Sequence, residues 1–270
     1  MRLDELKGLM KNCGIAGAGG AGFPGYAKLN DKADTVILNC AECEPLFRLH
    51  RQLLRRYSYE IISTLDVIRE SLGAEHFYVA LKKGYASTAE AVERDIAAFE
   101  HGEVKYLKEV YPAGDEIILI NDTTGRVVPA GGLPIDVKVI VYNVETILNT
   151  YRALHGECVT HKYVTVGGAV KNPQTYCVPL GTPLSYLVEL AGGATEDDTV
   201  LLNGGPMTGN LAKSDDTVKK TTNGVLALPR TNPVIAQRMH EERFVDGGLR
   251  FRYERKRFGQ YGKHRKHGEN

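Results

Sequence analysis

Net charge is the first thing this sequence lacks. Its 34 lysines and arginines offset 33 aspartates and glutamates, leaving +1 over 270 residues. That balance excludes a general electrostatic attraction to nucleic acid or to a membrane surface. Long apolar runs are missing too: no stretch approaches the ~18 consecutive apolar residues of a membrane span. Met1 opens a polar amphipathic segment rather than a signal-peptide core. Cysteine is scarce, with five scattered residues, Cys13, Cys40, Cys43, Cys158 and Cys177. An odd number in a chain too large to need staples points to a reducing, cytoplasmic setting rather than a disulfide framework. No four of them reproduce the spacing of an iron–sulfur cluster, and none follows Cys177, so no cluster is expected in this chain. No His/Cys/Asp group has metal-site spacing, and no metal is expected.

What is present is an alternation of short apolar runs and amphipathic stretches. Leu3, Leu6, Leu9 and Met10 recur at helical spacing. "TVILN" (35–39) reads as a buried strand, and residues 49–72 as one long helix ended by Gly73. "HFYVAL" (76–81) is a second strand, followed by a helix with Ser87 and Glu90 as its capping box. "VKYLKE" and "VKVIVYN" (137–143) are further strands, "DEIILI" a helix start and "VETILNTYRALHG" a helix. Strands alternating with helices predict an α/β layer with a largely parallel sheet over residues 1–157. The rhythm then changes. "KYVTVGGAV", a Lys171-Asn172-Pro173 turn and "TYCVPLG" read as a hairpin. A short helix with Thr182 as cap and Pro183 at its first position follows, and then the strand "DTVLLNGGP". This predicts a small β-grasp, ubiquitin-like domain over 158–230. Residues 231–270 are basic, without an apolar face, and read as a tail, with an RNA-contacting arm as the alternative.

Two stretches carry the chemistry. "GIAGAGGAGFPGYAK" (14–28) concentrates glycine, and Gly17, Gly19 and Gly22 satisfy the letter of the dinucleotide fingerprint G-x-G-x-x-G. The context disagrees: a helix precedes it instead of a strand, and Phe23-Pro24 resists the helix that should follow. A plain flexible loop is one alternative. The favoured one is a phosphate cradle of another kind, in which successive glycine N–H groups point at one anion. "LNCAECEPLF" directly follows the strand 35–39, which puts Asn39, Glu42 and Glu44 at a strand's carboxyl end, where α/β sheets collect ligands. The two acids read either as a solvated turn or as acceptors for a ligand's N–H or hydroxyl groups. Cys40 and Cys43 spell C-x-x-C without a thioredoxin-like context. His50 is expected at the surface.

Together "GAGGAGFP" with Lys28, "NCAECEP", "YPAGDE" (111–116), "TGRVVPAGGLP" (124–134), "NVET" (143–146), "VTVGGAVKNP" (164–173) and "GGPMTG" (204–209) resemble a known family. It is that of the complex I flavin subunit, the Rnf complex C subunit and the microcompartment cobalamin reductase. The resemblance spans roughly residues 10–230. It implies FMN on Gly17, Gly19, Gly20, Gly22, Lys28, Asn39, Glu44, Tyr111, Gly114, Asp115, Glu116, Asn143 and Thr146. It implies NADH or NADPH as substrate near Phe23, Lys28, Glu44 and Glu116. The flavin carries the chemistry, so no side chain is expected to be catalytic. The implied activity is FMN-dependent electron transfer from NAD(P)H to an iron–sulfur or corrinoid partner, within a microcompartment or an Rnf-like assembly. The alternative is a non-catalytic module whose β-grasp part holds a corrinoid or another soluble ligand. The family continues into a cluster-bearing region for which this chain has no cysteines, so either the chain is a fragment or electrons leave through a separate protein. His50 stands where relatives carry an acid, which bears on nucleotide preference.

Overall fold

The computed structural model describes residues 1–213 and 215–245. Helix α1 (Leu3–Asn12) leads through the glycine loop into a single turn, α2 (Gly25–Lys28). Strand β1 (Thr35–Asn39) is followed by α3 (Leu49–Arg56) and α4 (Ser58–Leu72). Then come β2 (His76–Lys82), α5 (Ala86–Ile96), β3 (Gly102–Leu107), α6 (Glu116–Thr124), β4 (Val139–Asn143) and α7 (Val144–Leu154). The four strands form a wholly parallel sheet in the order β3-β2-β1-β4. Strands β1 and β4 are apolar on both faces because both are covered, whereas the edge strand β3 carries Glu103 and Lys105. Val36 and Leu38 of β1 pack among the helices α1, α3, α4, α5 and α7, while Ile37 faces Leu119 and Ile120 of α6.

A second sheet is mixed. It contains β5 (His161–Gly168) and β6 (Gln174–Pro179), paired as the expected hairpin. Helix α8 (Leu184–Leu190) precedes β7 (Thr199–Asn203), β8 (Asn210–Leu211) and β9 (Gly224–Pro229), and the strand order is β6-β5-β9-β7-β8. One face packs on α8 through Val164, Val166, Leu184 and Leu187. The other buries Leu202, Leu226 and Leu228 with Ile235 of α9 (Pro233–Val245) and with Phe47 from the turn after β1.

Several local expectations change. The helix expected over 49–72 breaks at Tyr57, whose backbone leaves helical geometry (φ −122°, ψ 39°) and whose hydroxyl lies 3.3 Å from that of Tyr163. No glycine or proline marks this break. Gly73 does end α4, in a left-handed conformation. Ser87 is no cap, since α5 begins at Ala86 without a side-chain cap bond. Thr182 bonds back to Pro179 O (2.8 Å), and Pro183 takes the N-cap position of α8. Strand β9 is a central strand that the sequence pattern did not assign. The stretch expected as a tail from 231 contributes α9 with its buried Ile235, and residues 246–270 lie outside the described residues.

The two sheets meet along a seam. Lys162 of β5 forms a buried ion pair with Glu145 of α7 and also donates to Asn223 Oδ1 (3.0 Å) and Tyr163 O (2.9 Å). The second Glu145 oxygen accepts from Tyr163 N (3.1 Å). Burial raises the Glu145 carboxyl and lowers the Lys162 ammonium, each against the pull of its partner's charge.

Candidate functional site

Parallel pairing places Asn39 of β1 opposite Asn143 of β4, side by side at the carboxyl ends of adjacent strands. The chain turns sharply after each, and a cleft of about 660 Å3 opens above them, within the ~300–1,000 Å3 range of small-molecule sites. Asn39 donates to Gly114 O (2.9 Å) and accepts from Ala41 N (3.0 Å), so it ties the turn after β1 to the segment before α6. Asn143 caps α7 by accepting from Glu145 N (3.0 Å), and its Nδ2 lies 3.1 Å from His50 Nε2.

The glycine loop closes on itself through Gly17 N to Phe23 O (2.8 Å) and Gly22 N to Gly17 O (3.2 Å). Ala18 N donates to Thr146 Oγ1 (3.0 Å), docking the loop on α7. The amides of Gly19, Gly20 and Ala21 make no hydrogen bond to another described residue, and all three residues line the cleft. Gly20 (φ 117°) and Gly22 (φ 67°) are in the left-handed region, whereas Gly19 is not. A Cβ at Gly19 would sit 3.2 Å from Asn143 Nδ2, so crowding, not backbone conformation, is what calls for glycine there. Gly22 does not line the cleft, and a Cβ there would come 3.0 Å from Thr221 in the segment before β9. At Gly114 a Cβ would come within 2.3 Å of Ala41 O, so the two turns touch only because that side chain is absent.

Charged groups are distributed unevenly. Lys28 Nζ is held between Glu116 Oε1 and Val141 O, 2.8 Å from each, inside the cleft. Tyr111 and Phe23 stand exposed at its rim. Asp115 does not line the cleft: it caps α6, accepting from Ile117 N (3.0 Å) and Ile118 N (3.2 Å). The two acids after β1 separate. Glu42 turns inward, accepts from His50 N (2.9 Å) and lies 3.3 Å from Arg51 Nε, and burial raises its carboxyl. Glu44 turns toward the second sheet. Its carboxylate accepts from Met207 N (3.0 Å), Thr208 N (2.8 Å) and the Thr208 hydroxyl, while the residue still lines the cleft.

His50 is not the surface residue expected. It lines the cleft beneath Asn143, and burial together with the Lys162 charge pushes its imidazole down to about 3, so it is neutral at physiological pH. Cys40 is buried, which raises its thiol well above the ordinary value, the opposite of a reactive dithiol. Cys43 Sγ faces Ala41 O at 3.8 Å. No group of three or more His, Cys, Asp or Glu among the described residues is arranged to hold a metal. No described helix is long and apolar enough to cross a membrane.

Sequence reasoning missed an entire wall. Asn203, Gly204, Gly205, Met207, Thr208, Gly209 and Asn210, with Thr221 and Asn223, close the cleft from the second sheet. The only signal for it was "GGPMTG", a motif without an assigned role.

Comparison with known proteins agrees with this layout. A family model described as the Nuo51 FMN-binding domain matches residues 10–152, and an SLBB domain matches 163–211. The cobalamin reductase PduS of Citrobacter freundii is 42% identical over 238 residues, covering 87% of this chain and 52% of that protein. The C subunit of the Na(+)-translocating ferredoxin:NAD(+) oxidoreductase complex of Acetobacterium woodii is 34% identical over 243 residues, covering 87% of this chain and 55% of that protein. The chain thus spans about half the length of these curated relatives. Among solved structures, a chain of an NAD+-reducing [NiFe]-hydrogenase in the H2-reduced state superposes with a TM-score of 0.72 at 22% identity, covering 84% of this chain and 47% of the other, a likeness of fold.

Proposed function

The chain belongs to the Nuo51 FMN-binding domain family, and from that premise we propose that its cleft holds FMN and serves flavin-dependent electron transfer, with NADH or NADPH as donor. The observation that carries this reading is the glycine loop. Three successive residues whose amides have no partner among the described residues, Gly19, Gly20 and Ala21, line a cleft at the carboxyl ends of two parallel strands. That is a cradle for one phosphate group, which favours the mononucleotide FMN over FAD. At Gly20 a Cβ would meet no described residue within 4 Å, and its absence leaves room for a flat ring system to lie against peptide there.

When bound, FMN supplies the exchange between two-electron and one-electron chemistry. The chain's own residues hold and tune it. Thr146 and Asn143 fix the glycine loop and the start of α7, so the phosphate meets preset donors. Asn39 and Gly114 hold the facing turn in place. Lys28 keeps a cation inside the cleft, and that charge offsets the negative charge that accumulates on reduction. Glu116 holds Lys28 in place and, standing 40% exposed at its side chain, is an acid at the cleft for a nucleotide's hydroxyl or amide. Tyr111 and Phe23 at the rim offer aromatic faces to a second planar group. The electron acceptor in this proposal is an iron–sulfur or corrinoid group on a partner protein. The competing reading is a soluble-ligand module in the second sheet with the cleft idle, and the open amides of the glycine loop weigh against it.

An anaerobic titration of the FMN-loaded chain with NADH tests the reading. The flavin absorbance should bleach, Glu116→Gln should weaken NADH-driven bleaching about ten- to a hundredfold while dithionite still reduces the flavin, and Gly19→Val should lose flavin. A chain that takes up no FMN, or a Gly19→Val variant with full occupancy, refutes it.

A further inference from the structure

The second sheet does more than follow the first. Its loop between β7 and β8 reaches across the seam and forms the far wall of the cleft. Two groups hold that loop from opposite sides. Glu44 takes the Met207 and Thr208 amides and the Thr208 hydroxyl, and Arg238 of α9 donates to Met207 O (2.7 Å). The fit is close: a Cβ on Gly205 would lie 2.2 Å from Glu44 Oε2. The wall so positioned carries no charged side chain. Every ionisable group lining the cleft comes from the first sheet's side, including Lys28, Glu116 and His50, whereas the second wall presents Asn203, Asn210, Thr221 and Asn223. Asn223 is spoken for by Lys162, but the side-chain amides of Asn203 and Asn210 make no hydrogen bond to any described residue. A carboxamide offers a paired donor and acceptor, both of which a neutral group carrying N–H beside C=O engages, whereas a phosphate or a carboxylate uses the donor alone.

We propose that Glu44 is a positioning residue, a latch that holds the Asn203–Asn210 loop against the cleft, and that Asn203 and Asn210 on this loop take a neutral amide edge of the bound ligand. The proposal rests on the FMN and nicotinamide reading for the identity of that edge. Two sources share its chemistry, the pyrimidinedione edge of the flavin and the carboxamide of the nicotinamide.

Hydrogen exchange on the flavin-free chain tests the latch apart from any cofactor. In Glu44→Ala the Met207 and Thr208 amides should exchange at least about tenfold faster, and Glu44→Gln, which keeps one acceptor oxygen, should restore part of the protection. Unchanged exchange in Glu44→Ala overturns the latch. The amide wall is tested with the Asn203→Ala/Asn210→Ala double variant, reading FMN affinity by fluorescence quenching, the flavin absorbance band, and KM and kcat for NADH. The expected effect is about ten- to a hundredfold. A raised KM with kcat and FMN affinity unchanged assigns the edge to the nicotinamide. Weakened FMN binding with a displaced absorbance band assigns it to the flavin. Full FMN affinity together with an unchanged KM overturns the wall. If the unmodified chain binds no FMN, the proposed function and the amide wall fall together, while the exchange data still decide the latch.

Discussion

The two carboxylates that join the sheets, Glu145 and Glu44, are opposites. Glu145 meets Lys162 in a dry seam, with both side chains 1% exposed. Glu44 meets exposed Met207 and Thr208 at the mouth of the cleft, through backbone amides and a hydroxyl. A buried ion pair is costly to separate because each charge left alone loses its solvation. Hydrogen bonds at an exposed rim exchange readily with water. The seam is therefore fixed at its root and loosely fastened at its lip, which is the arrangement of a cleft that admits a large flat ligand without the two sheets coming apart.

The largest effect that separates the two ends is expected at the root. Lys162→Met leaves Glu145 buried without its partner and should destabilise the chain by about 3–5 kcal/mol in urea unfolding. Adding Glu145→Gln should recover most of that loss, and an equal loss in the double variant would mean that packing, not charge, dominates the seam. Next comes acid sensitivity. The His50 imidazole titrates at about 3 in the folded chain, below its ordinary 6.5, so its neutral form is favoured by folding. Its contribution is complete above pH 6.5 and is lost as the pH falls from there toward 3, on the order of a few kcal/mol. Glu42 and Glu145, raised by burial, act with the opposite sign over the acid range. Comparison with His50→Gln isolates the histidine: the variant should unfold less steeply with acid between pH 6 and 4, and parallel curves would contradict its burial. The smallest effect belongs to the lip. Gly205→Ala displaces the end of the flexible Glu44 side chain and should cost under about 1 kcal/mol of global stability, while Met207 and Thr208 lose amide protection. A large loss of stability there would make the lip as rigid as the root.

Much of the first sheet was legible because its signals are local. "TVILN", "HFYVAL" and the last five residues of "VKVIVYN" are strands in the structure, and Gly73 ends its helix as a left-handed residue should. The hairpin was announced by its Asn172-Pro173 turn. What escaped depends on partners far away in sequence. Tyr57 breaks a helix whose own pattern is unbroken, beside Tyr163. "VLALP" was passed over although β9 sits between β5 and β7. In the cleft, the glycine loop, Lys28, Asn39 and Asn143 were readable from their motifs. The orientation of Glu44 was not, since a carboxylate after a strand looks the same whether it faces a ligand or residue 208. His50 was misplaced for a related reason: among the arginines of α3 it looks solvated, and only the approach of Lys162 and Asn143 makes it a cleft residue.

The register of β1 against β4 sets one further condition on this chain. Asn39 and Asn143 are neighbours because Thr35 starts opposite Val139 and the two strands then run five residues in step. The spacing of the site is thus measured by a sheet and not by the hundred or so residues that lie between the two motifs. Lengthening a surface turn in that interval, for example the one around His101, leaves the two asparagines where they are. A single residue inserted between Leu38 and Asn39 turns Asn39 to the opposite face of the sheet, and the cleft loses one side of its floor while Val36, Ile37 and Leu38 keep the faces on which they are buried.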